Sequence, residues 1–274
     1  MSVEFLIHQW WLVPLGFVLG AFGTLIGAGG GFILVPLLLL LYPKENPDLI
    51  TAISLAVVFA NTLSGSLAYG AMKRIDYKSG IVFSIATIPG AILGALSTAY
   101  VSRRLFDVIF GTLMIAGSAF LLLRPTRRHT RESNGNKHWT RTVVEAEGTA
   151  HTFSYNPALG VSLSLFVGFV SSFLGIGGGF IHVPALVHLL NFPVHIATAT
   201  SQFILAVMTL TGTLVHVATG TFSRGIRRTI LLAIGVLLGA QLGAKLSRRV
   251  QGQWIIRSLA VALALVGIRL LLAQ

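Results

Sequence analysis

Residues 27–36 read GAGGGFILVP, and residues 175–184 read GIGGGFIHVP. Eight of the ten positions are identical; only Ala28/Ile176 and Leu34/His182 differ. Each string interrupts a long apolar stretch, although glycine weakens a helix by roughly 1 kcal/mol per residue relative to alanine. In lipid the freed backbone groups need partners, so such a break persists only where protein or water covers it. A matched break in two hydrophobic halves is the best pointer in a sequence to a transport site.

Outward from the motif the halves keep matching. Thr51-Ala52-Ile53-Ser54 is answered by Thr198-Ala199-Thr200-Ser201, and Ser64-Gly65 by Thr211-Gly212. The run Gly90 to Ala95 returns as Gly235 to Ala240, and Ser102-Arg103-Arg104 as Ser247-Arg248-Arg249. The chain therefore reads as one duplicated unit. Residues 1–123 form a first transmembrane repeat, 124–156 a polar cytoplasmic linker and 157–274 a second transmembrane repeat.

Of 274 residues, 54% are hydrophobic and 10% charged, which is too apolar for a soluble domain of this size. The expected fold class is an all-α polytopic membrane protein. Each repeat has a glycine-broken first segment plus three further helices, giving about 8–10 membrane segments. No cleavable leader is expected, because the first apolar run is too long and lacks a basic start. There is no cysteine, which excludes disulfides and thiolate metal sites. The net charge of +12 sits in loops and at helix ends. It reads as topology charge beside anionic membrane lipids, not as a nucleic-acid surface.

The linker holds Arg124, Arg127, Arg128, Arg131, Lys137 and Arg141, with no apolar period. It is expected to be mobile and solvated, on the cytoplasmic side. His129, His138 and His151 are too irregularly spaced to point to a metal, and no cofactor is expected.

Topology hinges on the broken stretches. Residues 5–42 as one straight helix would span about 57 Å, far beyond a bilayer core. The chain either continues obliquely past the glycines, giving parallel repeats, or turns back there, giving inverted repeats. Loop charge divides two to one in both layouts, because exchanging Arg224, Arg227 and Arg228 with Lys245, Arg248 and Arg249 leaves the count unchanged. Inverted repeats are preferred, since they bring the two loops face to face at the midplane.

The candidate substrate-binding residues begin with Gly29, Gly30, Gly31, Gly177, Gly178 and Gly179. A glycine loop opening a helix presents bare amide donors at the positive end of the helix dipole, a ready anion site. Packing of small residues is the competing reading, and it is preferred for Gly90, Gly94, Gly235 and Gly239. Pro36 and Pro184 are expected to kink or end the short helices that follow. Ser54, Asn61, Ser201 and Gln202 are the candidate side-chain donors, with interhelical bonding as the alternative. Acids inside the apolar segments are lacking, so a carboxylate relay or sodium site is not expected. His182, His188 and His216 are the titratable groups at depth, and His182 and His216 are the candidates for proton coupling. No HExxH, paired intramembrane carboxylates or activated thiol points to an enzyme.

The duplicated Gly-x-Gly-Gly-Gly-Phe-Ile-x-Val-Pro string, followed by Thr-Ala-x-Ser and a Ser/Thr-Gly step, resembles the sulfite exporter TauE/SafE family. That family is also called the toluene-sulfonate uptake permease family. Gly70 to Tyr77 is similar to its Gly-x-Ile/Val-Asp loop, and the Gly90 and Gly235 runs to its later glycine segment. Ser223 stands where that loop would carry aspartate, and Ile53 where the motif more often has threonine. The resemblance implies a multi-pass carrier in a bacterial-type inner (cytoplasmic) membrane. Its cargo would be sulfite, a sulfonate or sulfoacetate, with no catalytic residue. The function this resemblance implies is secondary transport of a small sulfur-containing anion, sulfite or an organosulfonate, by alternating access, with export as the direction in the family's name. A passive anion channel or an uptake permease for another small organic anion is the alternative. Association with a second copy stays open.

Overall fold

The computed structural model describes residues 9–123 and 139–272. The first repeat comprises α1 (Leu12–Ile26), α2 (Gly31–Leu41), α3 (Pro47–Ala71), α4 (Tyr77–Thr98) and α5 (Arg103–Leu123). A hairpin of β1 (Trp139–Val144) and β2 (Ala150–Tyr155) follows. The second repeat comprises α6 (Pro157–Leu174), α7 (Gly179–His188), α8 (Val194–Ala218), a 3-10 turn (Thr221–Arg224), α9 (Ile226–Leu246) and α10 (Gly252–Leu272). Among the described residues α3, α4, α6, α8 and α9 are long and apolar enough to cross a membrane. The chain is an all-α polytopic membrane protein with one small sheet.

Local chemistry sets the element ends. Pro47 and Pro157 open α3 and α6, where a missing N–H is harmless, and Asn156 accepts from the Ala158 amide as a cap. Gly27 and Gly175 end α1 and α6 in the left-handed region, letting the next amides return to Gly23 and Ser171 carbonyls. Pro36 and Pro184 do not end their helices: α2 runs on to Leu41 and α7 to His188. Of the expected kink or end, the end does not occur: Leu38, Leu39, Ala185 and Leu186, just past the prolines, are buried against other helices, so packing offsets the lost bond.

The repeats interlock. Helix α1 lies along α9, and α6 lies in the corresponding place along α4. Glycines let these backbones touch: Gly16 meets Leu232, Gly20 meets Val236, and Gly239 meets Phe17 and Ala21. Both numbers rise together, so α1 and α9 run in the same direction. Gly90 and Gly94 meet Leu165 and Phe169 in the same way. Helices α3 and α8 cross the centre in opposite directions, with Gly65 facing Gln202 and Gly212 facing Leu55. Helices α5 and α10 pair on the flank. A Cβ at Gly239 would overlap the Phe17 carbonyl oxygen. Gly239→Ala is expected to destabilise the protein by about 2 kcal/mol through overpacking, read as a lower melting temperature in detergent.

Each broken stretch starts and finishes at the same end of the bundle. Leu190 and Phe192, just past α7, share a cluster with Phe153 and Tyr155 of the hairpin that leads into α6. At the opposite end Arg103 donates to the carbonyls of Leu39 (2.7 Å) and Glu45 (3.0 Å), and Arg228 pairs with Glu45 (3.1 Å). That end holds the close of α2, the starts of α3, α5 and α9, and the start of α1 beside α9. The chain therefore turns back at the glycines, and corresponding helices of the repeats point in opposite directions. Isoleucine, leucine and phenylalanine at 67, 85, 93, 166, 238 and 265 stay exposed around the bundle, a belt suited to lipid.

The linker needs correction. Residues 124–138 lie outside the described residues, with His129, His138 and five of the six cations. Residues 139–155 form a paired hairpin, with Trp139 opposite Tyr155 and Val144 opposite Ala150. Val143, Phe153 and Tyr155 are buried against Phe83 and Phe192. Arg141 bonds Asp76 at 2.9 Å, Arg74 bonds Glu145 at 2.6 Å, and the Ala146 amide donates to the Met72 carbonyl. The hairpin is thus strapped over the α3–α4 turn, and burial pushes the Tyr155 phenol pKa up. This stretch was expected to be solvated, because two six-residue strands give little period to read and their charges have buried partners 65 and 71 residues away.

Candidate functional site

The two glycine loops meet at the centre of the bundle. Gly27, Gly29 and Gly30 have φ of 80°, 74° and 81°, and Gly175, Gly177 and Gly178 have 70°, 75° and 77°. L side chains rarely adopt this region, so the motif is a demand for glycine. A Cβ at Gly31 would lie 2.6 Å from the Ile176 carbonyl oxygen, and one at Gly179 would overlap the Gly27 carbonyl oxygen. Gly29, Gly31 and Gly177 all press on Val58, at the middle of α3. The loops therefore touch each other, and the space between them is too small for a methyl group.

Each loop hands over from a helix end to a helix start. The amides of Gly30, Gly31 and Phe32 carry no hydrogen bond among the described residues, nor do those of Gly178, Gly179 and Phe180. These are the orphan donors of α2 and α7, at the positive ends of their dipoles. Gly31 lies against the Ile176 carbonyl and Gly179 against that of Gly27, so the two helix starts meet across a closed seam.

Three of the four expected side-chain donors are engaged with the first loop. Asn61 Nδ2 donates to the Gly29 carbonyl (3.0 Å), Ser201 Oγ to that of Gly27 (3.2 Å), and Gln202 Nε2 to that of Gly23 (3.3 Å). Ser54 is fully buried and its hydroxyl has no partner. Residues not singled out in the sequence complete this lattice. Thr24 Oγ1 donates to Asn61 Oδ1 (3.1 Å), and the Tyr69 hydroxyl donates to the Thr24 carbonyl (2.9 Å). Tyr69 had a signal: it aligns with His216 when α3 is laid on α8.

His216 is buried, with Nδ1 at 3.3 Å from Asp48 Oδ1 and Nε2 unpartnered. Asp48 opens α3 at the end opposite the hairpin, is partly exposed, and accepts from Thr221 Oγ1 at 2.8 Å. His182 is buried beside Ser164 Oγ (3.2 Å) and the Phe83 ring, with Nδ1 unpartnered. His188 lies edge-on to Phe120. No group of three metal-ligating residues occurs among the described residues.

Comparison with known proteins agrees with this architecture. A sequence description of the sulfite exporter TauE/SafE family matches residues 12–270. The chain is 35% identical over 266 residues to the "Probable membrane transporter protein YunE" of Bacillus subtilis, covering 95% of this chain and 96% of that one. It is 23% identical over 284 residues to a "Probable membrane transporter protein" of Methanocaldococcus jannaschii, covering 99% and 98%. A protein of that same description in Xylella fastidiosa is 27% identical over 236 residues, covering 86% of this chain and 82% of that one. No solved structure matches. With a family match over nearly the whole length and membrane transporters as full-length relatives, the chain belongs to the sulfite exporter TauE/SafE family of membrane transporters.

Proposed function

We propose that the chain is a secondary transporter of a small sulfur-containing anion, sulfite or an organosulfonate, working by alternating access in a bacterial cytoplasmic membrane and exporting its cargo. One observation carries this reading. Two re-entrant loops from oppositely directed repeats meet at the bundle centre, each opening a helix whose first amides are unpaired. Gly29, Gly30, Gly31, Gly177, Gly178 and Gly179 would offer amide donors to the anion oxygens when the seam opens. Donors without a fixed cation suit an anion that must also leave. The closed seam favours a carrier over a standing pore, because contact between the loops must break for an anion to enter.

His216 is the proposed proton carrier. Its Nδ1 faces Asp48 and therefore carries the hydrogen, leaving Nε2 free to take a proton on the buried side. The partly exposed Asp48, with Arg224 nearby, links it to one surface. Sulfite exchanges a proton near neutral pH, so a proton can travel with it without any intramembrane acid. Counterflow of labelled sulfite in proteoliposomes tests the reading. Saturable exchange accelerated by sulfite on the far side is expected, and His216→Asn is expected to uncouple anion movement from proton movement. Absence of flux with sulfite and with every organosulfonate tried overturns it.

A further inference from the structure

The two glycine loops are matched in backbone but not in hydrogen bonding. Around the first, Asn61, Tyr69, Ser201 and Gln202 donate to the carbonyls of Gly29, Thr24, Gly27 and Gly23, and Thr24 donates to Asn61. Their counterparts around the second are Ser172, Met208, His216, Ser54 and Leu55. Two of these are apolar. The other three, and Ser171 beside them, are buried polar groups with an atom lacking any partner. Buried polar atoms are nearly always bonded, so four orphans on one side of a duplicated core call for a ligand.

The four lie on α3, α6 and α8, the helices packed around the second loop. Ser171 Oγ occupies the space that a Cβ at Gly178 would need. Ser172 Oγ lies 3.3 Å from the position of a Cβ at Gly212, one helical turn before His216. On α3, Thr51 abuts Gly175, Leu55 abuts Gly212 and Val58 abuts Gly177, so Ser54 shares the face that covers the second loop. Beside the first loop two orphans remain, Gln202 Oε1 and the Thr198 hydroxyl. Gln202 Oε1 is an acceptor, and Thr198 turns its methyl group toward Gly27.

We infer that the anion is held asymmetrically, against the second glycine loop, by the hydroxyls of Ser54, Ser171 and Ser172 and by Nε2 of His216. The inference rests on the transport reading above and narrows it. The hydroxyls and the unpaired amides at Gly178 and Gly179 donate to the oxygens of a tetrahedral or pyramidal oxyanion. His216 Nε2 adds a charged donor once protonated, while Asp48 holds the ring in place. The first loop, tied to α3 and α8, is the fixed wall, and the α6–α7 loop is the part that moves.

Equilibrium binding of labelled sulfite and of methanesulfonate to the full-length protein in detergent, paired with melting curves, tests this. The double variant Ser171→Ala/Ser172→Ala is expected to bind about tenfold more weakly or worse, as for loss of a hydrogen bond to a charged group. Its melting temperature stays unchanged, since those hydroxyls have no bond to lose. Thr24→Ala, at the matching position of the first loop, is expected to lower the melting temperature and keep affinity within about twofold. Wild-type affinity in the double variant, or equal weakening by Thr24→Ala, overturns the asymmetric site alone. Wild-type protein that binds neither probe overturns the site and the transport reading together.

Discussion

Gly179→Ala is expected to abolish transport and to lower stability by about 3 kcal/mol, the upper range for forcing extra volume into a packed core. Gly179 has an ordinary backbone conformation, so strain is not the reason. The reason is contact: the new methyl would overlap the Gly27 carbonyl oxygen and the Ala28 α carbon of the opposite loop. Both obstacles are backbone and cannot rotate away. Gly31→Ala should behave alike, because its Cβ would sit 2.6 Å from the Ile176 carbonyl oxygen. Melting curves in detergent and sulfite counterflow check both. A variant that folds and transports like wild type would show that the loops do not meet.

Asp76→Ala is expected to release the hairpin from the bundle and destabilise the protein by about 3 kcal/mol. The carboxylate is buried and accepts two bonds from Arg141 Nε and one from NH2, the last at 2.9 Å. It also accepts from Ser79 Oγ, which itself bonds the Tyr155 hydroxyl at 2.5 Å. Removing it leaves the Arg141 guanidinium and the Ser79 hydroxyl without their shared acceptor. Faster protease cleavage within 139–155, together with a lower melting temperature, is the readout. The exposed pair Arg248–Glu147, at 3.6 Å, is the contrast. Arg248→Ala should change stability by no more than about 0.5 kcal/mol, since water already screens that pair.

Much of the architecture could be read along the chain. The apolar stretches at 157–174, 194–218 and 49–72 are plain along the chain, and α6, α8 and α3 occupy them to within about two residues. Breaks at Gly27–Gly30 and Gly175–Gly178 fall where the triple glycines put them. Other features escaped. The β1–β2 hairpin has a Thr/Val run before Glu145-Ala146-Glu147-Gly148 and a Thr/aromatic run after it, a signal that the six cations of the linker obscured. Asn61, Ser201 and Gln202 stood out as buried polar residues, yet their types alone could not tell a substrate ligand from a brace for a loop carbonyl.

Apolar length and glycine content are properties of short stretches, so the segments, their breaks and their duplication were fixed before any folding was considered. Direction was not. Lysine and arginine counts are the same for a chain that passes through and one that turns back, and only contacts between residues far apart in sequence distinguish them. Asp48 meeting Thr221 and Leu190 clustering with Phe153 put the ends of each broken stretch on one side. The same holds for the site: Ser201 and Gln202 are satisfied by carbonyls of the other repeat, 174 and 179 residues away, and which hydroxyls are left bare depends on such partners.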